Sequence, residues 1–159
     1  MPETGEQPPI DVLLIASGGG HLVQALRIAR VMRAQTDISM VMVTPGTVPS
    51  RARPVEQVVA CADFSRETAW RMFKVGRQLL RLLRRHRPRL VITTGAAPGL
   101  VGIACARYRG IPAVWVDSLA NARRLSLSGR LAITLGADVL SQWPAVAEAA
   151  GVRYEGNVL

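Results

Sequence analysis

The chain has 159 residues, 49% of them apolar, and a formal net charge of +9. That length and apolar content suit one domain with a sizeable core. No continuous apolar tract reaches the ~18 residues a membrane-spanning helix needs.

The opening MPETGEQPP is acidic and proline-rich. It lacks the basic stretch that begins a signal peptide, so residues 1–10 read as a disordered lead-in to a single Rossmann-like domain over 11–159. Asp11 to Ala16 (DVLLIA) is a nearly unbroken apolar run, as expected of a strand buried on both faces. Three glycines follow Ser17, and His21 to Ala34 then carries apolar residues at helical spacing. Ile38 to Val43 reads as a second strand, the turn-rich TPGTVPSRARP as a loop, and Val55 to Cys61 as a short third strand. Arg66 to His86 reads as a long helix stopped by Pro88.

Leu90 to Thr94 is the next strand, followed by a Gly-Ala-Ala-Pro-Gly loop and a helix over Leu100 to Tyr108. Then come a strand over Pro112–Asp117, a helix over Leu127–Leu135, a strand over Asp138–Ser141, a short helix over Pro144–Ala149 and a last strand over Val152–Tyr154. This alternation predicts an α/β fold with a parallel sheet flanked by helices. Ligands of such sheets bind at the carboxyl ends of the strands. Those ends carry Ser17 to His21, Thr94 to Gly99, and Asp117-Ser118, so the topology puts all three loops on one rim.

The SGGGH loop has half of a dinucleotide fingerprint. Gly18 and Gly20 fit, but Val23 occupies the third glycine position and the second strand ends in Val43-Thr44-Pro45 without an acid. That argues against NAD. No lysine follows Gly20, which argues against a nucleotide-hydrolysing P-loop. A glycine-lined helix N-terminus remains, with free N–H groups suited to an anion, backbone open to close approach at Gly18–Gly20, and His21 in the first turn. The same residues also fit a plain tight strand–helix turn. Cys61 and Cys105 are isolated, as expected of small buried residues in a reducing compartment, and no Cys/His cluster has metal-ligand spacing.

Charge is concentrated in one place. Between Arg66 and Arg89 lie nine basic residues and one acid, Glu67. On a helical wheel Met72, Val75, Leu79, Leu80, Leu82 and Leu83 share one arc, with Phe73 at its edge, while Arg71, Lys74, Arg77, Arg81, Arg84 and Arg85 share the other, with Trp70 among them. This fits an ordinary solvated face, or a helix drawn to anionic headgroups with Trp70, Phe73, Arg51 and Arg53 assisting at the interface. Aromatics make up only 4% of the chain, so no base-stacking platform for nucleic acid is expected.

Six motifs then occur in order: SGGGH, TTGAAPG, WVD, SLSGR, QWP and GNV. Together they resemble bacterial polysaccharide-biosynthesis proteins similar to the membrane-anchoring subunit of the two-component dolichol-linked N-acetylglucosaminyltransferase, a GT-B type grouped with glycosyltransferase family 28. The resemblance runs from Val12 to Val158. It implies the N-terminal half of a GT-B enzyme, which binds a polyprenyl-diphosphate-linked acceptor at the inner face of the plasma membrane. A separate donor-binding subunit would hold a UDP-sugar as substrate, with no cofactor and no metal. By the same resemblance Ser17, Gly18, Gly19, Gly20, Thr94, Gly95, Gly99 and Ser118 are substrate-binding, and His21 or Asp117 is the catalytic base. Trp70, Arg71, Phe73, Lys74, Arg77, Arg81 and Arg84 are the candidate membrane contacts. The related peptidoglycan-precursor transferases have an asparagine two residues after the acid; Leu119 stands there in this chain, so their acceptor contacts are not carried across. A non-catalytic adaptor that recruits a soluble transferase, or a free-standing nucleotide-sugar-binding domain, would fit the same residues.

Overall fold

The computed structural model describes residues 9–48, 53–62 and 70–158. Seven parallel strands form one sheet in the order β3-β2-β1-β4-β5-β6-β7. They are β1 (Val12–Ile15), β2 (Met40–Thr44), β3 (Gln57–Ala60), β4 (Leu90–Thr93), β5 (Ala113–Val116), β6 (Asp138–Ser141) and β7 (Arg153–Tyr154). The connecting helices are α1 (Gly20–Gln35), α2 (Arg71–His86), α3 (Ala96–Tyr108), α4 (Leu127–Thr134) and α5 (Pro144–Ala150).

The central strand β1 is buried at all four positions and pairs with both β2 and β4, Val12 lying opposite Met40 and Leu90. Alternate residues feed opposite layers. Leu13 and Ile15 join Val91, Trp115 and Val139 beneath Val75, Leu79 and Leu83 of α2 and Ile103 and Ala106 of α3. Val12 and Leu14 join Met40, Met42, Ile92 and Val116 beneath Leu22, Ala25 and Ala29 of α1. The result is the Rossmann-like sheet with helices on both faces that the alternating pattern predicts.

Three local readings change. The helix expected from Leu100 begins at Ala96, so the GAAPG segment is mostly helix and not loop. Pro98 and Gly99 are poor helix residues, but they sit in the first turn, where backbone N–H groups have no intrahelical acceptor anyway. Of the helix expected over Arg66–His86, Arg71–His86 is seen and residues 63–69 lie outside the described set. Pro88 does stop it: Arg87 takes a left-handed conformation at φ 44° and its N–H caps the Leu83 carbonyl at 3.0 Å. Ile10, read as part of the lead-in, is buried, and its N–H donates to the His86 carbonyl at 3.0 Å.

The apolar arc of α2 is also narrower than the wheel suggests. Val75, Leu79 and Leu83 are buried, Leu80 and Leu82 are half-buried, and Met72 is exposed. The sheet and α3 cover only the inner part of a stripe that runs further round the helix.

Candidate functional site

The strand order reverses between β1 and β4, because the chain runs outward to β2 and β3 before returning to β4 on the other side of β1. A crevice opens at such a switch point. Each of its walls is the N-terminus of a helix: α1 after β1, and α3 after β4. Two positive helix ends therefore flank one crevice.

His21 and Thr94 bridge it. His21 Nδ1 lies 2.6 Å from the Thr94 carbonyl oxygen, and the Thr94 hydroxyl donates to the His21 carbonyl at 2.7 Å. A carbonyl can only accept, so Nδ1 is the donor, and of the two imidazole tautomers the contact selects the one whose lone pair is on Nε2. Gly95 makes the contact possible. A Cβ there would stand 2.7 Å from His21 Cε1, and its φ of 130° suits glycine alone. Gly99 has a similar reason, since a Cβ would fall 2.2 Å from Thr93 Oγ1. Gly19 needs its glycine for φ 62°, whereas a Cβ at Gly18 or Gly20 would meet nothing within 4 Å. Ser17 is buried, Gly18 half-buried, and Gly19 and Gly20 exposed.

Asp117 is 2% exposed and saturated with donors. Oδ1 accepts from Trp115 Nε1 at 3.1 Å and Ser126 Oγ at 2.5 Å; Oδ2 accepts from Asn121 Nδ2 and the Ser126 N–H, both at 3.0 Å. Its backbone carbonyl accepts from Gln142 Nε2 at 2.7 Å, and Trp143 Nε1 donates to the Leu119 carbonyl at 2.8 Å. Gln142 Oε1 in turn accepts from the Val158 N–H at 3.0 Å. WVD, SLSGR, QWP and GNV therefore all meet on one loop. A carboxylate has about four acceptor positions, and here every one is filled by the protein, an arrangement that fixes a loop. Ser118 stays half-buried beside it, its hydroxyl accepting from the Ala120 N–H at 3.3 Å.

Thr93, Trp115, Asn121, Ser126 and Gln142 were not singled out from the sequence. Ser126 carried a signal: it caps α4 by accepting from the Gly129 N–H at 2.8 Å, and a serine immediately before the first residue of a helix is a favoured cap on sequence alone. Trp115 links the two clusters, packing against Gly99 while its ring N–H reaches Asp117.

On the opposite side of the sheet from α1, the outer face of α2 is strongly basic. Arg71, Lys74, Arg77, Arg81 and Arg84 are all exposed, as are Trp70 and Phe73. The Arg71 guanidinium stacks 5.5 Å from the Trp70 ring centre. Arg53, assigned to the same interface, instead donates to the Val48 carbonyl, while Arg51 and Arg66 lie outside the described residues. No helix among the described residues is long and apolar enough to cross a membrane.

The sheet order, the two helix ends and the parallel strands define the N-terminal half of a GT-B fold. Residues 18–117, more than half of the chain, match the family model described as Glycosyltransferase Family 4, and the chain belongs to that family. The resemblance read from the motifs had implied a family 28-like chain; the shared ground is the GT-B glycosyltransferase half. Among solved structures, MurG of Acinetobacter baumannii superposes with a TM-score of 0.69 at 16% identity, covering 86% of this chain and 42% of that one. A putative UDP-N-acetylglucosamine 2-epimerase from Listeria monocytogenes gives 0.69 at 11%, covering 91% and 43%. The S. aureus MnaA–UDP structure gives 0.69 at 12%, covering 92% and 43%. At these identities the likeness is one of fold, and the chain spans about two-fifths of the length of each. A comparison with curated proteins finds no match.

Proposed function

We propose that this chain is the acceptor-binding and membrane-associating part of an inverting glycosyltransferase. A donor-binding partner half would hold a UDP-sugar across the cleft, and the acceptor would be a saccharide linked to a polyprenyl diphosphate at the inner membrane face. The observation that carries this reading is the Thr94–His21 pair at the switch point, with Nδ1 fixed as donor. His21 Nε2 then takes the proton of an acceptor hydroxyl as its oxygen attacks the anomeric carbon of the donor. The bond to the nucleoside diphosphate breaks on the opposite face, so a single displacement inverts the sugar.

The N-termini of α1 and α3 supply N–H groups and positive dipole ends for the acceptor diphosphate. Gly18 and Gly20 support this role, since nothing in the chain's own packing would exclude a side chain there and a close ligand would. Asp117 acts as a positioning residue, holding the Asp117–Leu119 loop rather than exchanging a proton. The basic face of α2, with Trp70 and Phe73, draws the domain to anionic lipid.

The deciding experiment measures transfer from UDP-sugars to lipid-linked acceptors, with this chain alone, with a donor-binding half-enzyme added, and with His21→Ala in the pair. Transfer only in the pair, lost with His21→Ala, is expected. Unchanged turnover with His21→Ala would leave the chain as a non-catalytic adaptor.

A further inference from the structure

The outer surface of α2 and α3 is not a flat basic face. The two helices come close at Gly76, where a Cβ would lie 3.6 Å from Val101 Cγ1 and the Cys105 thiol sits 3.7 Å from the Gly76 carbonyl. Over this contact runs an open groove of about 380 Å³, almost wholly apolar, lined by Met72, Phe73 and Leu80 of α2 and Val101, Ala104 and Tyr108 of α3. Phe73 is 72% exposed and Tyr108 82% exposed, so two large aromatic rings border the groove with little cover from the described residues. Solvated apolar surface of this kind marks an interaction site.

The groove does not end in solvent. Leu80, Arg77 and Tyr108 also line a second hollow of about 320 Å³, whose remaining wall is Arg81, Arg84 and Arg109. Among the described residues no carboxylate pairs with any of these four arginines. Unpaired guanidinia around one hollow repel one another, and a doubly charged oxyanion relieves that repulsion through forked hydrogen bonds. Apolar channel and cationic hollow are thus one continuous feature with opposite chemistry at its two ends.

From this continuity we propose that the α2–α3 groove is a discrete site for one acidic phospholipid, with an acyl chain along Met72, Phe73, Val101 and Ala104 and the phosphate on Arg81, Arg84 and Arg109. The inference rests on the membrane reading above and sharpens it from diffuse attraction to stoichiometric capture. A free phosphate would leave the apolar channel empty, and a zwitterionic lipid would leave the guanidinia only partly neutralised. Arg77, set where the two hollows join, lies at the glycerol level.

The test separates the groove from the general field of the helix. Dihexanoylphosphatidic acid is titrated calorimetrically below its micellar concentration, alongside dihexanoylphosphatidylcholine and inorganic phosphate. Saturable one-to-one binding of the acidic lipid is expected, with the other two weaker by ~10-fold or more. Ala104→Trp fills the channel from an exposed position without touching a charge, and Arg81→Gln with Arg84→Gln empties the hollow. Each set is expected to weaken the acidic lipid by ~10-fold or more, with melting curves confirming the fold. Equal binding of inorganic phosphate, equal binding of phosphatidylcholine, or indifference to Ala104→Trp would each overturn the proposal. Capture of the soluble lipid together with failure to float on anionic vesicles would keep the groove and remove the membrane reading.

Discussion

Thr94 grips His21 twice, accepting from Nδ1 through its carbonyl and donating through its hydroxyl to the His21 carbonyl, at 2.6 Å and 2.7 Å. The two residues are 73 positions apart and belong to different strand–helix units, so the pair is a tertiary device. It ties the first turn of α1 to the end of β4 and sets the tautomer of the ring. In the transferase pair proposed above, with His21 as the proposed base, His21→Ala should lower kcat by about 10²–10⁴-fold, the usual worth of a general base. Stability should fall by only about 1 kcal/mol, the worth of a hydrogen bond. Steady-state kinetics and a thermal melt on the same preparation check both halves. Thr94→Val should keep the carbonyl contact, lose the hydroxyl one, and give a smaller loss in kcat.

Gly95→Ala should disturb the same pair from the other side. A methyl group would press on the imidazole at 2.7 Å, in a backbone conformation that side chains avoid. Strain of about 1–3 kcal/mol is expected, together with loss of transferase activity close to that of His21→Ala. The His21 ring resonances in NMR report the displaced imidazole directly; an unshifted spectrum would contradict the contact.

Asp117→Asn should behave in the opposite way. The amide puts a donor where two protein donors already converge, and removes the charge that the other hydrogen bonds favour. A loss of about 3 kcal/mol is expected, a melting shift of roughly 6–12 °C for a chain of this size. Any fall in kcat should be modest once the protein is folded at low temperature. A stable variant without turnover would return Asp117 to the role of base.

Association with membranes should require anionic lipid and weaken as salt rises. Each basic residue near such a surface contributes about 1 kcal/mol, so Arg77, Arg81 and Arg84 changed together to Glu should abolish flotation with vesicles containing phosphatidylglycerol. Undiminished flotation of that variant would reduce the α2 face to a solvated surface.

Acid should destabilise the fold through His86. Its ring is buried beside Arg85, and burial first, then the neighbouring cation, hold its pKa below the ordinary 6.5. The folded value is depressed, so the unfolded chain takes up the proton first. This contribution is intact above about pH 6.5 and is lost as the pH falls from there toward the folded value. His86→Gln should flatten the dependence of Tm on pH between about 7 and 5. Asp11, whose carboxyl is lowered from 3.8 chiefly by hydrogen bonds from Ser39, acts only at lower pH.

Much of this was legible before any coordinates. Buried runs such as DVLLIA and MVMV announce central parallel strands because both of their faces must be apolar, and the α2 stripe announces a one-sided helix. The rim position of SGGGH, TGAAPG and Asp117 follows from parallel topology alone. The start of α3 was misplaced because glycine and proline signal a break on average, while a helix's first turn tolerates both. The extent of the α2 apolar stripe was overstated because a wheel counts side chains and not the neighbours available to cover them.

By itself, then, the sequence determined the order of elements, the parallel sheet, the glycine-lined helix ends and the block of arginines. These depend on local periodicity and on rules of connection that hold along the chain. Only the tertiary structure decided that His21 is held by Thr94, that Asp117 is sealed by Trp115, Asn121 and Ser126, and that Arg81, Arg84 and Arg109 rim one hollow. The reason is physical. His21 with Thr94, and Arg81 and Arg84 with Arg109, join separate strand–helix units, so the distance between their side chains is set by how the sheet packs its helices; the Asp117 cluster closes within one unit, but through a loop after β5 whose folding back no periodicity in the sequence specifies.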